Sequence, residues 1–289
     1  MSTANAPYRV ASDPKCPDCR GAGVVVRRDG EVARAARCAC VGRCPICRDS
    51  GWAPVAPDGD RWTRRQRCAC RALDDRIGRF NQAGVPARHA DSTRASFDPS
   101  AGKDLTRVLQ IVSRWILDYS PQKPDNRGLI LYGDVGRGKT HLAVAAAREI
   151  LFRTGAAVRF VEFSHLLSDL KAGFDSGRSA SELLDPLVAV DVLVIDELGK
   201  GRNTEFEQMV IDELVSRRYN AMAPMLATTN FLPGEPTGRG VANAADAAPI
   251  APNLADRVGS RVYSRLRETC DFVAVVGDDH RERAQRRRG

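Results

Sequence analysis

Residues Leu129 to Ala143, LILYGDVGRGKTHLA, decide the fold. Leu129, Ile130, Leu131 and Tyr132 form an apolar run that reads as a buried strand. The run enters a glycine-rich turn, Gly133-Asp134-Val135-Gly136-Arg137-Gly138, followed by Lys139, Thr140, His141 and an Ala-rich helical stretch. Strand, turn and helix in this order match the phosphate-loop pattern G-x-x-x-x-G-K-[ST]. The glycines let the backbone curl so that its N–H groups converge on phosphate oxygens, and the helix that starts there turns its positive end to the same anion. The pattern makes residues 133–141 a nucleotide cradle, with Lys139 on the terminal phosphates and the Thr140 hydroxyl on Mg²⁺. A turn that only joined a strand to a helix would not need this whole set of residues.

Downstream, strand and helix patterns alternate. A helix over His141–Arg153 ends at Gly155, and Val158–Phe163 reads as a strand. Ser164 is placed to cap a helix running to Phe174, and Ala180–Leu187 is helical again. Asp191–Ile195 is an apolar strand ending in Asp196-Glu197. Glu205–Tyr219 is a helix, and Met225–Thr229 is a strand ending in Asn230. Continuous apolar strands alternating with helices predict an α/β domain whose parallel sheet is covered by helices on both faces. Ligands of such sheets sit at the carboxyl ends of the strands, where the loop, the Asp-Glu pair and Asn230 all fall. Asp196 is placed to hold the metal and Glu197 to polarise the attacking water, with Asn230 as a further orienting group. Val258–Glu268 reads as one helix with Arg261 and Arg265 on the same face, suited to a neighbouring copy's nucleotide. A solvated basic helix has the same spacing.

Before the loop, residues 72–90 contain Leu73, Ile77 and Phe80 at helical spacing and read as a helix stopped near Gly84 and Pro86. Asp104–Tyr119 presents Leu105, Val108, Leu109, Val112 and Ile116 on one face.

The chain has 289 residues, 43% of them hydrophobic, enough for a core, and no run long enough to span a membrane. Its start lacks a secretory signal, so a reducing, cytoplasmic setting is expected, and the nine cysteines are not a disulfide framework. Eight of them form a repeat. Cys16-Pro-Asp-Cys19 closes with Arg37-Cys38-Ala-Cys40, and Cys44-Pro-Ile-Cys47 closes with Arg67-Cys68-Ala-Cys70. Each block suits a four-thiolate Zn²⁺ site, giving two sites. The simplest pairing is within a block, with exchange between blocks open. Metal would supply most of the folding energy of such short segments. Buried thiols or an iron–sulfur cluster are the alternatives. Cys270 stands apart in an apolar stretch and reads as a core thiol. The net charge of +8 lies wholly in residues 1–90, with 17 basic and 9 acidic side chains there. That suits a nucleic-acid surface, although thiolate ligation of two Zn²⁺ would halve the excess.

GDVGRGKTHLA, VLVIDELG, ATTN and GSRVYSRL together resemble the DnaC/DnaI-type AAA+ ATPases, which are helicase loaders close to the IstB transposition helpers. AGVPARHADSTRASFDP is similar to that family's lead-in segment, and CDFVAVVGDDHR to its last strand and closing Gly-x-x-x-Arg. The likeness covers about residues 80–282. It implies ATP and Mg²⁺ as cofactors, Asp196 as the metal acid, Glu197 as the catalytic acid, Asn230 as a sensor and Arg265, or else Arg261, as a finger reaching a second copy. It also implies a helical insertion at about 164–187 that touches single-stranded DNA, with Lys171 and Arg178 as candidates.

The expected organisation is a zinc-binding cysteine-repeat domain over 1–75, a linker and lead-in over 76–103, an AAA+ domain over 104–282 and a basic tail over 283–289. The double cysteine block and the Pro/Ala/Gly-rich stretch 232–253 depart from the family pattern. The expected activity is ATP hydrolysis coupled to self-association and to placing a replicative helicase on single-stranded DNA. A transposition helper with a transposase as client is the alternative. A zinc-based adaptor that binds nucleotide without hydrolysing it is an alternative of another class.

Overall fold

A computed structural model describes residues 12–55, 65–102, 104–235 and 252–280. The closing arginine of the Gly-x-x-x-Arg motif, the basic tail and most of the 232–253 stretch lie outside these residues. The chain divides into two compact units, residues 1–91 with 148–157, and residues 92–147 with 158–289.

The first unit is built on the cysteine repeat. Strands β1 (Val24–Asp29) and β2 (Val32–Arg37) form one antiparallel hairpin, and β3 (Trp52–Pro54) and β4 (Arg65–Arg67) form another. The repeat holds at the level of single hydrogen bonds. Arg20 N–H donates to Cys16 O and Arg48 N–H to Cys44 O, each at 2.8 Å. Cys38 N–H donates to Gly23 O at 3.0 Å, and Cys68 N–H to Gly51 O at 2.9 Å. Helix α1 (Arg71–Gln82) follows directly, burying Leu73 and Phe80. Its Asn81 side chain bonds both backbone groups of Ala35 on β2, so the first hairpin has a covered face.

The second unit is an α/β layer structure. Its five strands are β5 (Gly128–Tyr132), β6 (Val158–Glu162), β7 (Val192–Asp196), β8 (Met225–Thr229) and β9 (Cys270–Ala274). They run parallel in the order β6-β7-β8-β5-β9, with helices on both faces. Residues 192–196 and 225–229 are buried throughout, as a sheet covered on both sides requires. The helices are α2 (Leu105–Asp118), α3 (Lys139–Thr154), α4 (Phe163–Asp175), α5 (Ala180–Val188), α6 (Glu205–Asn220), α7 (Leu254–Val258) and α8 (Ser260–Thr269).

Three local expectations change. Helix α4 begins at Phe163 with Glu162 in the cap position, and the Ser164 hydroxyl donates to the Glu162 carboxylate from inside the first turn. The single helix expected over 258–268 is two, because Gly259 takes φ 86° and ends α7 before α8 begins. The inner face of α2 also includes Trp115, whose indole N–H donates to Arg127 O at 2.8 Å. Among the described residues no helix is long and apolar enough to cross a membrane.

Candidate nucleotide and metal sites

The turn Gly133–Gly138 joins β5 to α3 at the carboxyl edge of the sheet. Gly136 has φ 80°, and a Cβ there would fall 2.2 Å from the Asp279 carboxyl. Gly138 has φ 86°, and a Cβ there would fall 2.8 Å from the Phe97 ring. Both positions therefore require glycine. The segment after β9 lies along the turn, with His280 N–H donating to Gly136 O at 3.0 Å. Lys139 is buried and donates from Nζ to Gly133 O at 2.8 Å and Asp134 O at 2.6 Å. Burial pulls its ammonium down to about 8, against the opposing pull of Asp196, Asp134 and Glu197. A cationic side chain sequestered beside a curled, glycine-dependent backbone suits a polyanion such as a triphosphate. Val135 is exposed, and the Arg137 guanidinium pairs with Asp134 at 3.6 Å. His141 turns away from the loop, with its ring nitrogen on Thr93 O at 2.9 Å and its ring against Phe97.

Strand β8 separates β5 from β7, and its Thr228 connects the two acids. The Thr228 hydroxyl donates to Asp196 Oδ1 at 2.6 Å and accepts the Glu197 N–H at 3.0 Å. The Thr140 hydroxyl donates to the same Asp196 oxygen at 2.8 Å. The loop threonine and the strand-end acid thus meet, as a shared Mg²⁺ would require. Glu197 takes the left-handed conformation, φ 57°, unusual for a residue with a long side chain, and its carboxylate accepts from Lys200. Asn230 is exposed one residue beyond the end of β8.

Arg265 lies on α8 with its guanidinium on Asp212 Oδ1 at 2.9 Å, on the Ser216 hydroxyl, and over the Tyr219 ring at 5.7 Å. Arg261, one turn earlier, reaches the other Asp212 oxygen at 3.4 Å and is far more exposed. Lys171 on α4 and Arg178 between α4 and α5 are both exposed.

Several residues that shape the site or hold the fold beneath it escaped the sequence reading. Thr228 sits within an apolar strand and looks like strand filler. Arg257 on α7 donates to Gly199 O at 2.9 Å and to Gly201 O, tying down the loop that follows Glu197. Arg218 is fully buried and donates to the carbonyls of Leu187, Val188, Val190 and Pro224, and burial lowers it to about 10. No local pattern marks these roles, because each partner is distant in sequence.

In the first unit, Cys16, Cys19, Cys38 and Cys40 converge, and so do Cys44, Cys47, Cys68 and Cys70, with the sulfurs of each group within 4.8 Å of one another. Sulfur pairs lie 3.6 Å apart for Cys16–Cys38 and 3.4 Å for Cys47–Cys70. A tetrahedral Zn²⁺ with bonds of about 2.3 Å sets its thiolates about 3.8 Å apart, so both groups fit this ion. The backbone N–H of Cys19 helps hold the Cys16 thiol down at about 7, easing its ionisation. The grouping is within each block.

A family model of IstB-like ATP binding proteins matches residues 117–288. The chain belongs to this family. Within the IstB-like family and its kin, it is 38% identical over 152 residues to the replicative helicase loader DnaC of Escherichia coli K12. That match covers 52% of this chain and 60% of the relative, so it spans less than two thirds of the relative's length. The chain is 27% identical over 219 residues to an ATP-binding protein in an insertion sequence of Mycobacterium tuberculosis, covering 73% of this chain and 78% of that one. A crystal structure of the DnaC helicase loader superposes with a TM-score of 0.54 at 26% identity, covering 65% of this chain and 99% of that one. A crystal structure of DnaI shares the fold, with a TM-score of 0.51 at 21% identity, covering 68% and 93%. Like these relatives, the IstB-like chain has a P-loop domain, and the five-stranded parallel sheet is its frame.

Proposed function

We propose that this chain is an ATP-dependent helicase loader of the DnaC/DnaI type. The observation that carries this reading is the hydrogen-bonded line Thr140–Asp196–Thr228–Glu197 beside the glycine turn. These contacts support an ATP-Mg site at one sheet edge. Gly133, Asp134, Val135, Gly136, Arg137 and Gly138 would cradle the phosphates, with Lys139 neutralising them and Thr140 and Asp196 holding Mg²⁺. Bound Mg-nucleotide would supply the electrophilic phosphorus. Glu197 would orient and deprotonate water, with Asn230 alongside. Arg265, or Arg261 beside it, would complete the site of an adjoining copy.

The likeness to DnaC, a replicative helicase loader, supports a replicative helicase as the client, and single-stranded DNA would be the place of delivery. Lys171 and Arg178 would touch that strand. The two cysteine groups would each hold Zn²⁺ and shape the segment that grips partners, in a cytoplasm that keeps thiols reduced. Assembly and DNA contact would belong to the nucleotide-bound chain, and release would follow hydrolysis.

The test is nucleotide binding and turnover by the purified chain. Lys139→Ala should lose nucleotide affinity, and Glu197→Gln should keep affinity while losing turnover by a factor of ~100 or more. Turnover unchanged in Glu197→Gln, or undetectable in the parent, would favour the non-hydrolysing adaptor. The longer match to the insertion-sequence ATP-binding protein favours a second reading, a transposition helper with the same engine. Co-purification of the full chain with helicase or with transposase separates the two.

A further inference from the structure

The two cysteine lobes share a backbone but differ in what they show to solvent. Counting from the second cysteine of each block, Val24 corresponds to Trp52, and the hairpin registers agree, with Val24 opposite Arg37 and Trp52 opposite Arg67. Val24 is 6% exposed, whereas Trp52 is 54% exposed. The first lobe therefore shows that this position needs no tryptophan to fold. Ile46, in the knuckle of the second block, is 53% exposed where the first block has Asp18. Among the described residues of this unit, both strongly exposed large apolar side chains belong to the second lobe.

The surroundings of Trp52 are basic. On a two-stranded ribbon, directly opposed residues and those two apart share a face. Trp52, Pro54, Arg67 and Arg65 therefore line one face, while Ala53 is buried on the other. Residues 43–55 and 65–75 hold five arginines against three aspartates, of which Asp49 accepts the Cys44 N–H at 3.0 Å and Asp74 lies 3.7 Å from Arg71. Arg67 pairs with Asp75, but the pair is exposed and of the kind that contributes little, so a phosphate can compete for the guanidinium. An exposed indole flanked by guanidiniums is the pattern by which proteins bind single strands, with bases stacking on the ring and phosphates on the cations. Loss of a protein client with oligo-dT binding unchanged would assign this face to an acidic protein surface instead.

We infer that the outer face of the second cysteine lobe, Trp52 with Arg65 and Arg67, is a contact for single-stranded DNA. The choice of DNA over RNA rests on the loader reading; the stacking surface itself does not. The experiment uses the full, zinc-loaded chain and a fluorescent oligo-dT, measured by anisotropy across a salt series, with oligo-rU in parallel. Trp52→Ala should weaken oligo-dT binding roughly tenfold, and Trp52→Phe should retain most of it. Arg65→Ala with Arg67→Ala should weaken binding and flatten the salt slope by about 1 to 2. Basal ATP turnover and a zinc content of two should be unchanged in the arginine variant, which alters only exposed side chains. Unchanged affinity and slope in both sets would overturn the inference, even if a protein client were lost instead. Preference for oligo-rU would overturn the assignment to DNA. A chain that failed to hydrolyse ATP yet bound oligo-dT through Trp52 would sink the loader reading and leave this surface standing.

Discussion

Lys200 donates its ammonium proton to the Glu197 carboxylate, three residues back in the chain. The carboxylate in turn raises Lys200 above its ordinary value, so the pair is intact throughout the neutral range and begins to fail only on the alkaline side. A carboxylate engaged by an ammonium is a poorer proton acceptor. Lys200→Ala should therefore raise basal ATP turnover several-fold, about 3- to 10-fold, with nucleotide affinity unchanged. Steady-state turnover at saturating nucleotide reads this directly, and a fall in rate would mean that the lysine helps rather than restrains.

Nucleotide binding should take up protons at alkaline pH. Lys139 is lowered to about 8, so above that pH much of it is neutral before a ligand arrives. A triphosphate favours the charged form and pulls the proton back. Affinity should be greatest below pH 8 and fall as pH rises through it. Calorimetry at pH 8.5 in two buffers of different ionisation enthalpy should show net uptake, and the uptake should shrink as the pH is lowered toward 7.

Each cysteine lobe should load metal independently, because its four sulfurs come from one block. Cys19→Ser should lower the zinc content from two to one per chain, as should Cys47→Ser, by elemental analysis. Loss of both ions from either single variant would indicate sharing between blocks.

Arg265 is only partly exposed and is held by Asp212 of its own chain. If it serves a neighbouring copy, Arg265→Ala should cut turnover by a factor of ~100 or more while nucleotide affinity stays the same. Sedimentation with nucleotide present would show whether assembly falls with it. Equal turnover in Arg265→Ala would return the residue to a purely structural part.

Arg218 should matter for stability alone. Removing its guanidinium leaves four carbonyls, two buried and two part-buried, without their donor, so Arg218→Ala should destabilise the chain by about 3 kcal/mol or more in urea unfolding.

Much of the sheet was legible because its strands are continuous apolar runs that end in chemistry-bearing residues. The glycine turn was legible because Gly136 and Gly138 occupy conformations and spaces that no other residue fills. The repeat was legible because each block opens with C-P-x-C and closes with R-C-A-C, and these matched pairs build matching hydrogen bonds. The remainder depended on contacts across the chain. Ser164 looked like a cap, but Glu162 occupies that place because β6 runs straight into α4. Nothing in the sequence sets Arg218 apart, and only the fold brings the carbonyls of residues 187, 188, 190 and 224 around it. Lys200 and Arg257 likewise acquire meaning only once the loop after Glu197 is folded.

Thr228 contributes a single hydroxyl, yet that oxygen holds both the Asp196 carboxylate and the Glu197 backbone N–H from a strand that contains neither residue. A valine there would keep the volume of the side chain and sever both links at once. The Asp196 carboxylate and the backbone from which Glu197 starts are thus both tethered to the central strand, so a displacement of β8 would move the two together.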